Sequence, residues 1–244
     1  MKRIALVTGA NKGLGFETAR QLGAKGITVL MASRNKERGI TAVEKLKAEG
    51  LDVELVQLES TNDQDIQVLI QLIESRYGKL DILVNNAGIM HQDEPLGTNT
   101  SESISAESLK LTFDVNFFSI VNLTQALLPL LKKSDAGRII NLSSILGSNT
   151  VQSDSSSPYY TVKPFAYDAS KAALNSFTVH LAAALEGTKV KVNSAHPGWV
   201  KTDLGTDGAP MEVVDGAKSS VSLSLSEETD FSGKFIHMGE EVAW

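Results

Sequence analysis

The stretch Ile4-Ala5-Leu6-Val7-Thr8-Gly9-Ala10-Asn11-Lys12-Gly13-Leu14-Gly15 joins a short apolar run to a glycine-rich loop. Residues 4–7 are wholly apolar, as in a strand buried on both faces of a sheet. The loop has glycine at 9, 13 and 15, and an amphipathic helical pattern opens at Gly15. Glycine turns the backbone tightly and lets it approach a ligand with no Cβ in the way, and the helix N-terminus offers free N–H donors and a partial positive charge. Close helix–strand packing also selects glycine, but a strand before and a helix after favour a phosphate cradle. Gly9, Asn11, Lys12, Gly13, Leu14 and Gly15 are therefore candidate cofactor-binding residues.

The alternation continues outward. Apolar, β-rich runs recur at residues 27–32, 53–58, 80–84, 138–142, 189–195 and 234–237, making seven strand candidates with the first. Between them lie amphipathic segments at 15–25, 36–49, 63–77, 108–131 and 165–186. Such alternation predicts a doubly wound (Rossmann) α/β fold, a parallel seven-stranded sheet with helices on both faces. No internal repeat or linker divides residues 1–244, which read as a single dinucleotide-binding domain. Polar stretches at about 91–106, 147–164 and 198–212 follow strand ends, where doubly wound sheets bind ligands, and are expected to set substrate choice.

Composition removes other classes. The chain has 244 residues, of which 42% are hydrophobic and 21% charged, an ordinary globular balance. It has no cysteine, which excludes disulfides and thiolate chemistry. Lys and Arg total 23 against 29 Asp and Glu, a net charge of −6 without a basic stripe, which argues against nucleic acid. No run of about eighteen apolar residues suggests a membrane span, and the first apolar run is too short for a signal-peptide core. A cytoplasmic protein is expected. The four histidines lack metal-ligand spacing, so no metal site is expected.

The second strand candidate ends at Ala32-Ser33-Arg34, where NAD sites usually carry an acid for the ribose 2′-hydroxyl. No acid stands there. The Arg34 guanidinium can instead fork onto a 2′-phosphate, with Ser33 beside it and Lys12 adding charge, which favours NADP(H) over NAD(H). Arg38 reads better as a solvated surface cation.

Five segments then follow in order: the glycine loop with Thr8, Asn85-Asn86-Ala87-Gly88, Ser143-Ser144, Tyr167-Asp168-Ala169-Ser170-Lys171, and Pro197-Gly198. Together they resemble the short-chain dehydrogenase/reductase family over nearly the whole chain. Asn11-Lys12-Gly13 and the run from His196 to Asp203 are similar to its carbonyl reductase branch, which uses NADPH. The residues also make chemical sense alone. Tyr167 and Lys171 share one helix face at i and i+4, and an ammonium beside a phenol favours phenolate.

The resemblance implies that Tyr167 gives its proton to a substrate carbonyl oxygen as hydride reaches the carbon, while Lys171 also bonds the nicotinamide ribose. Ser144, rather than Ser143, would hold the carbonyl oxygen. Asn116 completes the tetrad by holding, through helix backbone, a water that links Lys171 to solvent. Asn86, Ala87 and Gly88 would lie under the adenosine. Pro197, Gly198, Val200 and Thr202 would fix the nicotinamide end. Two departures stand out. Leu58-Glu59-Ser60 replaces the usual aspartate facing the adenine, so Glu59 and Ser60 are assigned there. The interval before Tyr167 is about ten residues longer than usual and contains a second Tyr-x-x-x-Lys, Tyr159 to Lys163, flanked by Pro158 and Pro164. Proline forbids a regular helix through it, so its tyrosines read as loop residues near the substrate mouth. With Trp199 and Met211 they suggest an apolar pocket.

The expected activity is reversible reduction of a small-molecule ketone or aldehyde by NADPH. A non-catalytic NADP-binding regulator on the same fold is the alternative; a methyltransferase would leave the Asn-Asn-Ala-Gly segment and the Tyr-Lys pair without roles. The sequence leaves a homodimer and a homotetramer both open.

Overall fold

The computed structural model describes residues 2–94, 98–225 and 231–244. The apolar runs become β1 (Ile4–Thr8), β2 (Thr28–Ser33), β3 (Val53–Gln57), β4 (Ile82–Asn85), β5 (Arg138–Leu142), β6 (Lys191–Ala195) and β7 (Phe235–His237). They form one parallel sheet in the order β3-β2-β1-β4-β5-β6-β7. An eighth strand, β8 (Glu240–Glu241), pairs antiparallel with β7 and extends the expected seven. Its two exposed glutamates carry no apolar signal. The hairpin turns on Met238 and Gly239, with φ of 49° and 92°, the double positive φ that a two-residue turn demands.

Helices cover both faces because alternate strand residues point to opposite sides. Ile4 and Leu6 of β1 pack with α3 (Asp63–Tyr77), α5 (Ser119–Leu131) and α7 (Phe165–Ala184), burying Leu69, Ile73, Leu123, Leu127 and Leu181. Ala5 and Val7 pack with α1 (Gly13–Ala24), α2 (Lys36–Ala48) and α9 (Lys218–Leu225), burying Leu22, Val43, Leu46 and Leu223. The serine-rich α9 gave no periodic signal. It fits because Ser219, Ser220 and Ser224 are small enough to be buried, and Ser224 donates its hydroxyl to the Ser220 carbonyl at 2.7 Å.

The segment expected as one helix at 108–131 is three pieces in one helical run: α4 (Ala106–Phe113), a π-helical turn (Asp114–Phe118) and α5. This run is long and apolar enough to cross a membrane by length and composition, but its leucines at 123, 127, 130 and 131 are buried on the sheet. The expected loop at 147–164 includes a 3-10 turn ending at Gly147 and the short helix α6 (Asn149–Ser153). Asn99 forms a β-bridge with Lys163, joining the first two loops. Pro95, Leu96 and Gly97 of the first loop lie outside the described residues. The third loop leads into α8 (Val213–Gly216). Strand order reverses between β1 and β4, so the glycine loop and the carboxyl ends of β4, β5 and β6 share one edge of the sheet.

Candidate active site

Gly9 and Gly13 adopt positive φ, 63° and 56°, which only glycine takes at little cost. A Cβ on Gly15 would lie 2.5 Å from the Gly9 carbonyl oxygen and 2.4 Å from Asn86 Nδ2, so loop and helix close without room for one. Asn35, Asn62 and Ser105 cap α2, α3 and α4 with side chains; α1 has no side-chain cap, leaving its N-terminus for an anionic ligand. Asn86 Nδ2 donates to the Thr8 carbonyl at 2.7 Å, and the Asn86 and Ala87 N–H groups donate to Thr8 Oγ1 at 2.9 and 3.0 Å. The Asn86 amide is thus a staple between β4 and the glycine loop. A Cβ on Gly216 would strike Val200 at 2.5 Å and Leu14 at 2.9 Å, and one on Gly13 would touch Thr202 at 3.5 Å, so the third loop rests on the glycine loop. Gly198 has φ of 90°.

At the end of β2, Ser33 is buried and donates to the Asn35 carbonyl at 2.8 Å. Arg34 is exposed, with no hydrogen-bond or ion-pair partner among the described residues. Lys12 pairs with Asp203, a contact that holds the Asp203 carboxyl below its ordinary range. Both ends of that pair are exposed, so it costs little to exchange for another anion. The Glu59 carboxylate accepts from Thr61 Oγ1 at 3.0 Å, and Ser60 Oγ donates to Ser119 Oγ at 3.3 Å. Glu59 is thus turned onto its own loop.

The four residues expected to carry chemistry come together. Ser144 opens the 3-10 turn after β5 and its Oγ accepts from Leu146 N–H at 3.2 Å. The Ser144 hydroxyl lies close enough to the Tyr167 hydroxyl to lower its pKa. Ser143 instead points its hydroxyl toward the Lys171 carbonyl, 3.5 Å away. Gly147 lets the turn rest on α7: a Cβ there would sit 2.7 Å from the Lys171 backbone. Lys171 Nζ donates to the Leu142 carbonyl at 2.8 Å and lies 5.7 Å from the Tyr167 ring centroid. Asn116 lies in the π turn, fully buried. Its Oδ1 accepts from Ile89 N–H at 2.8 Å, while Nδ2 donates to the Ile89 carbonyl at 2.8 Å and Ser170 Oγ at 3.0 Å. That side chain is committed to holding the helix against the end of β4. Such a turn recurs at functional sites because it displaces the regular backbone hydrogen bonds.

Burial sets the electrostatics. The Tyr167 phenol is pushed up to about 12 by loss of solvent; the Ser144 hydroxyl pulls it down and Asp168 pushes it further up. The expected fall driven by a neighbouring ammonium is reversed by burial of the phenol itself, and burial also pulls Lys171 down to about 8. At neutral pH the phenol is therefore a protonated acid. The second Tyr-x-x-x-Lys lies outside any helix: α7 starts at Phe165, and Lys163 Nζ donates to Gln152 while lying 5.1 Å from the Tyr160 ring centroid.

Two buried groups had no role assigned to them from the sequence. His196 Nδ1 accepts from Ile145 N–H at 3.2 Å and Gly198 N–H at 3.4 Å, tying the serine turn to the glycine after β6. Burial first, and then the neighbouring His237, hold it neutral by pulling it down to about 3. The other is Glu94, 1% exposed at the start of α7.

Known proteins resemble this chain in sequence and in fold. Residues 3–212 match the family model described as short chain dehydrogenase. Short-chain dehydrogenase/reductase 1 of Saponaria officinalis is 33% identical, the alignment covering 98% of this chain and 95% of that protein. Carbonyl reductase [NADPH] 3 of Rattus norvegicus is 34% identical over 99% of this chain and 98% of that one. Among solved structures, the NADPH-bound carbonyl reductase from chicken fatty liver superimposes with a TM-score of 0.85 at 28% identity, covering 100% of this chain and 99% of that one.

Proposed function

The chain belongs to the short-chain dehydrogenase/reductase family, and on that premise we propose that it is an NADPH-dependent reductase of ketones or aldehydes, reversible toward the alcohol. The observation that carries this reading is the juxtaposition of Ser144, after β5, with the buried Tyr167 and with Lys171 one turn along α7. The glycine cradle, the uncapped N-terminus of α1 and the exposed Arg34 fit an NADP(H) molecule: the first two suit its pyrophosphate and Arg34 its 2′-phosphate. Bound there, NADPH supplies the hydride.

The protein supplies the rest. Two neighbouring hydroxyls can both turn toward a carbonyl oxygen entering between them. Ser144 then donates to the oxygen and stabilises its developing charge. Tyr167, held protonated by burial, donates its proton as that charge develops. Lys171 would bond a ribose hydroxyl and take part in returning the proton; its Nζ and the Asn116 side chain both lie beside Gly88. The polar loops around 91–106, 147–164 and 198–212 frame the substrate.

Coenzyme preference tests the reading. With a panel of aromatic aldehydes, aryl ketones and steroids, kcat/KM for NADPH should exceed that for NADH by at least about tenfold, the worth of a charge-assisted phosphate contact. Arg34→Asp should reverse that order. One-to-one NADPH binding without oxidation on any substrate would favour the non-catalytic regulator instead.

A further inference from the structure

Helix α7, which carries Tyr167 and Lys171, begins after Pro164, a residue whose side chain cannot cap it. Its first N–H groups are nevertheless all satisfied from another loop. Phe165 N–H donates to Thr100 Oγ1 at 2.9 Å, Ala166 N–H to Glu94 Oε1 at 2.7 Å, and Tyr167 N–H to Glu94 Oε2 at 3.1 Å. Thr100 Oγ1 in turn donates to Glu94 Oε1 at 2.9 Å, and Thr100 N–H donates to the Lys163 carbonyl at 3.2 Å. One buried carboxylate therefore joins the loop at 91–106, the loop before α7 and the backbone of Tyr167 itself. A carboxylate at a helix N-terminus accepts charge-assisted hydrogen bonds and complements the helix dipole, so this cap is stronger than a neutral one.

We propose that Glu94 is a positioning residue for the reaction: it acts through the backbone N–H of Tyr167 to fix the phenol against Ser144, and it ties the substrate-side loop to the proton donor. The proposal rests on Tyr167 being that donor. A neighbouring group supports it. The Asp168 carboxyl is pushed up to about 8, first by burial and then by Glu94, with Lys163 opposing, and its Oδ1 is buried without a partner, as suits a neutral acid. The charged groups that act on this end of α7 are Glu94 from one loop, Lys163 from the other, and Asp168 and Lys171 on the helix.

Glu94→Gln tests it. Whichever way the new amide turns, one helix N–H faces a donor. Hydrogen exchange at Ala166 and Tyr167 should quicken at least tenfold while amides further along α7, such as Leu174, stay protected. In steady-state reduction of an aromatic aldehyde, kcat should fall about tenfold with the NADPH Kd within twofold of wild type. Removing the negative charge that helps to hold Asp168 up lets that carboxyl ionise at lower pH, so the limb of kcat/KM that follows Asp168 should move to lower pH. Quickened exchange with wild-type kcat and an unmoved limb would make Glu94 a structural cap only and overturn the proposal. If Glu94→Gln does not fold, Thr100→Val should lower kcat several-fold and Thr100→Ser restore it; wild-type kcat in Thr100→Val overturns it equally. If the wild-type protein reduces no carbonyl, the reading of Tyr167 fails and the positioning role falls with it, while amide exchange still shows separately whether Glu94 caps the helix.

Discussion

Tyr167→Phe is expected to lower kcat for carbonyl reduction by about 10³, within the range of positioned proton transfer, and to leave the NADPH Kd within about twofold. The hydroxyl is the only atom removed. It neighbours Ser144 and lies in a position that loss of solvent keeps protonated to about pH 12. Phenylalanine keeps the ring where it is 7% exposed, so the fold should lose no more than about 1 kcal/mol, the net worth of one hydrogen bond. Because the wild-type phenol is protonated throughout the neutral range, its own titration should not limit kcat there, and the fall on the alkaline side should follow Lys171 near pH 8. Stopped-flow NADPH oxidation beside fluorescence titration separates the two effects. A variant that binds NADPH and keeps full activity would place the acid elsewhere.

Lys171→Met should be the second most damaging change for catalysis and should act on stability in the opposite direction. Loss of the ammonium removes a ribose donor and a proton-relay group, for which about 10² in kcat and weaker NADPH binding are expected. The lysine is 4% exposed, and burial alone pulls it from the ordinary 10.5 to about 8. At roughly 1.4 kcal/mol per unit this is about 3 kcal/mol against the folded state while the ammonium persists. The folded pKa lies below the unfolded one. Between pH 8 and 10.5 the unfolded chain therefore binds the extra proton, and wild-type stability from this group rises with pH. Relative to wild type, Lys171→Met should gain up to about 2 kcal/mol at pH 7, after about 1 kcal/mol for the lost bond to the Leu142 carbonyl, and lose that gain as pH climbs through this window. Denaturant unfolding at pH 7 and pH 10 checks it. A loss of stability at pH 7 would show that the ammonium is not the strained species described.

The sheet was legible in the sequence because its parallel strands are short, mostly apolar, β-rich runs between amphipathic segments, and the seven runs predicted appear with ends shifted by two residues or fewer. The features missed follow from effects that periodicity does not encode. An extra residue in one turn leaves the apolar pattern of 108–131 nearly intact, so the π turn around Asn116 had no signature. Strand β8 is two exposed glutamates whose pairing depends on the turn before it. Spacing placed Tyr167 and Lys171 on one face, but the direction of the phenol's pKa shift depended on burial, which spacing does not measure. Asn86 and Glu59 show the same limit. Motif position brought both to the sheet edge, while the partners of their side chains, Thr8 and Thr61, were decided by local geometry. Glu94 read as one acid in a polar loop, and only the fold sets it against the N-terminus of α7.

The central claim is that this site reduces a carbonyl with NADPH through Tyr167. Its most direct test is the stoichiometry of product alcohol, separated by chromatography, to NADPH consumed in a single turnover of the wild-type protein. The account predicts one alcohol per NADPH, with none formed without the coenzyme and none within the same time in Tyr167→Phe. NADPH held at full occupancy with no alcohol formed from any aldehyde or ketone offered, or alcohol formed equally well by Tyr167→Phe, would contradict it.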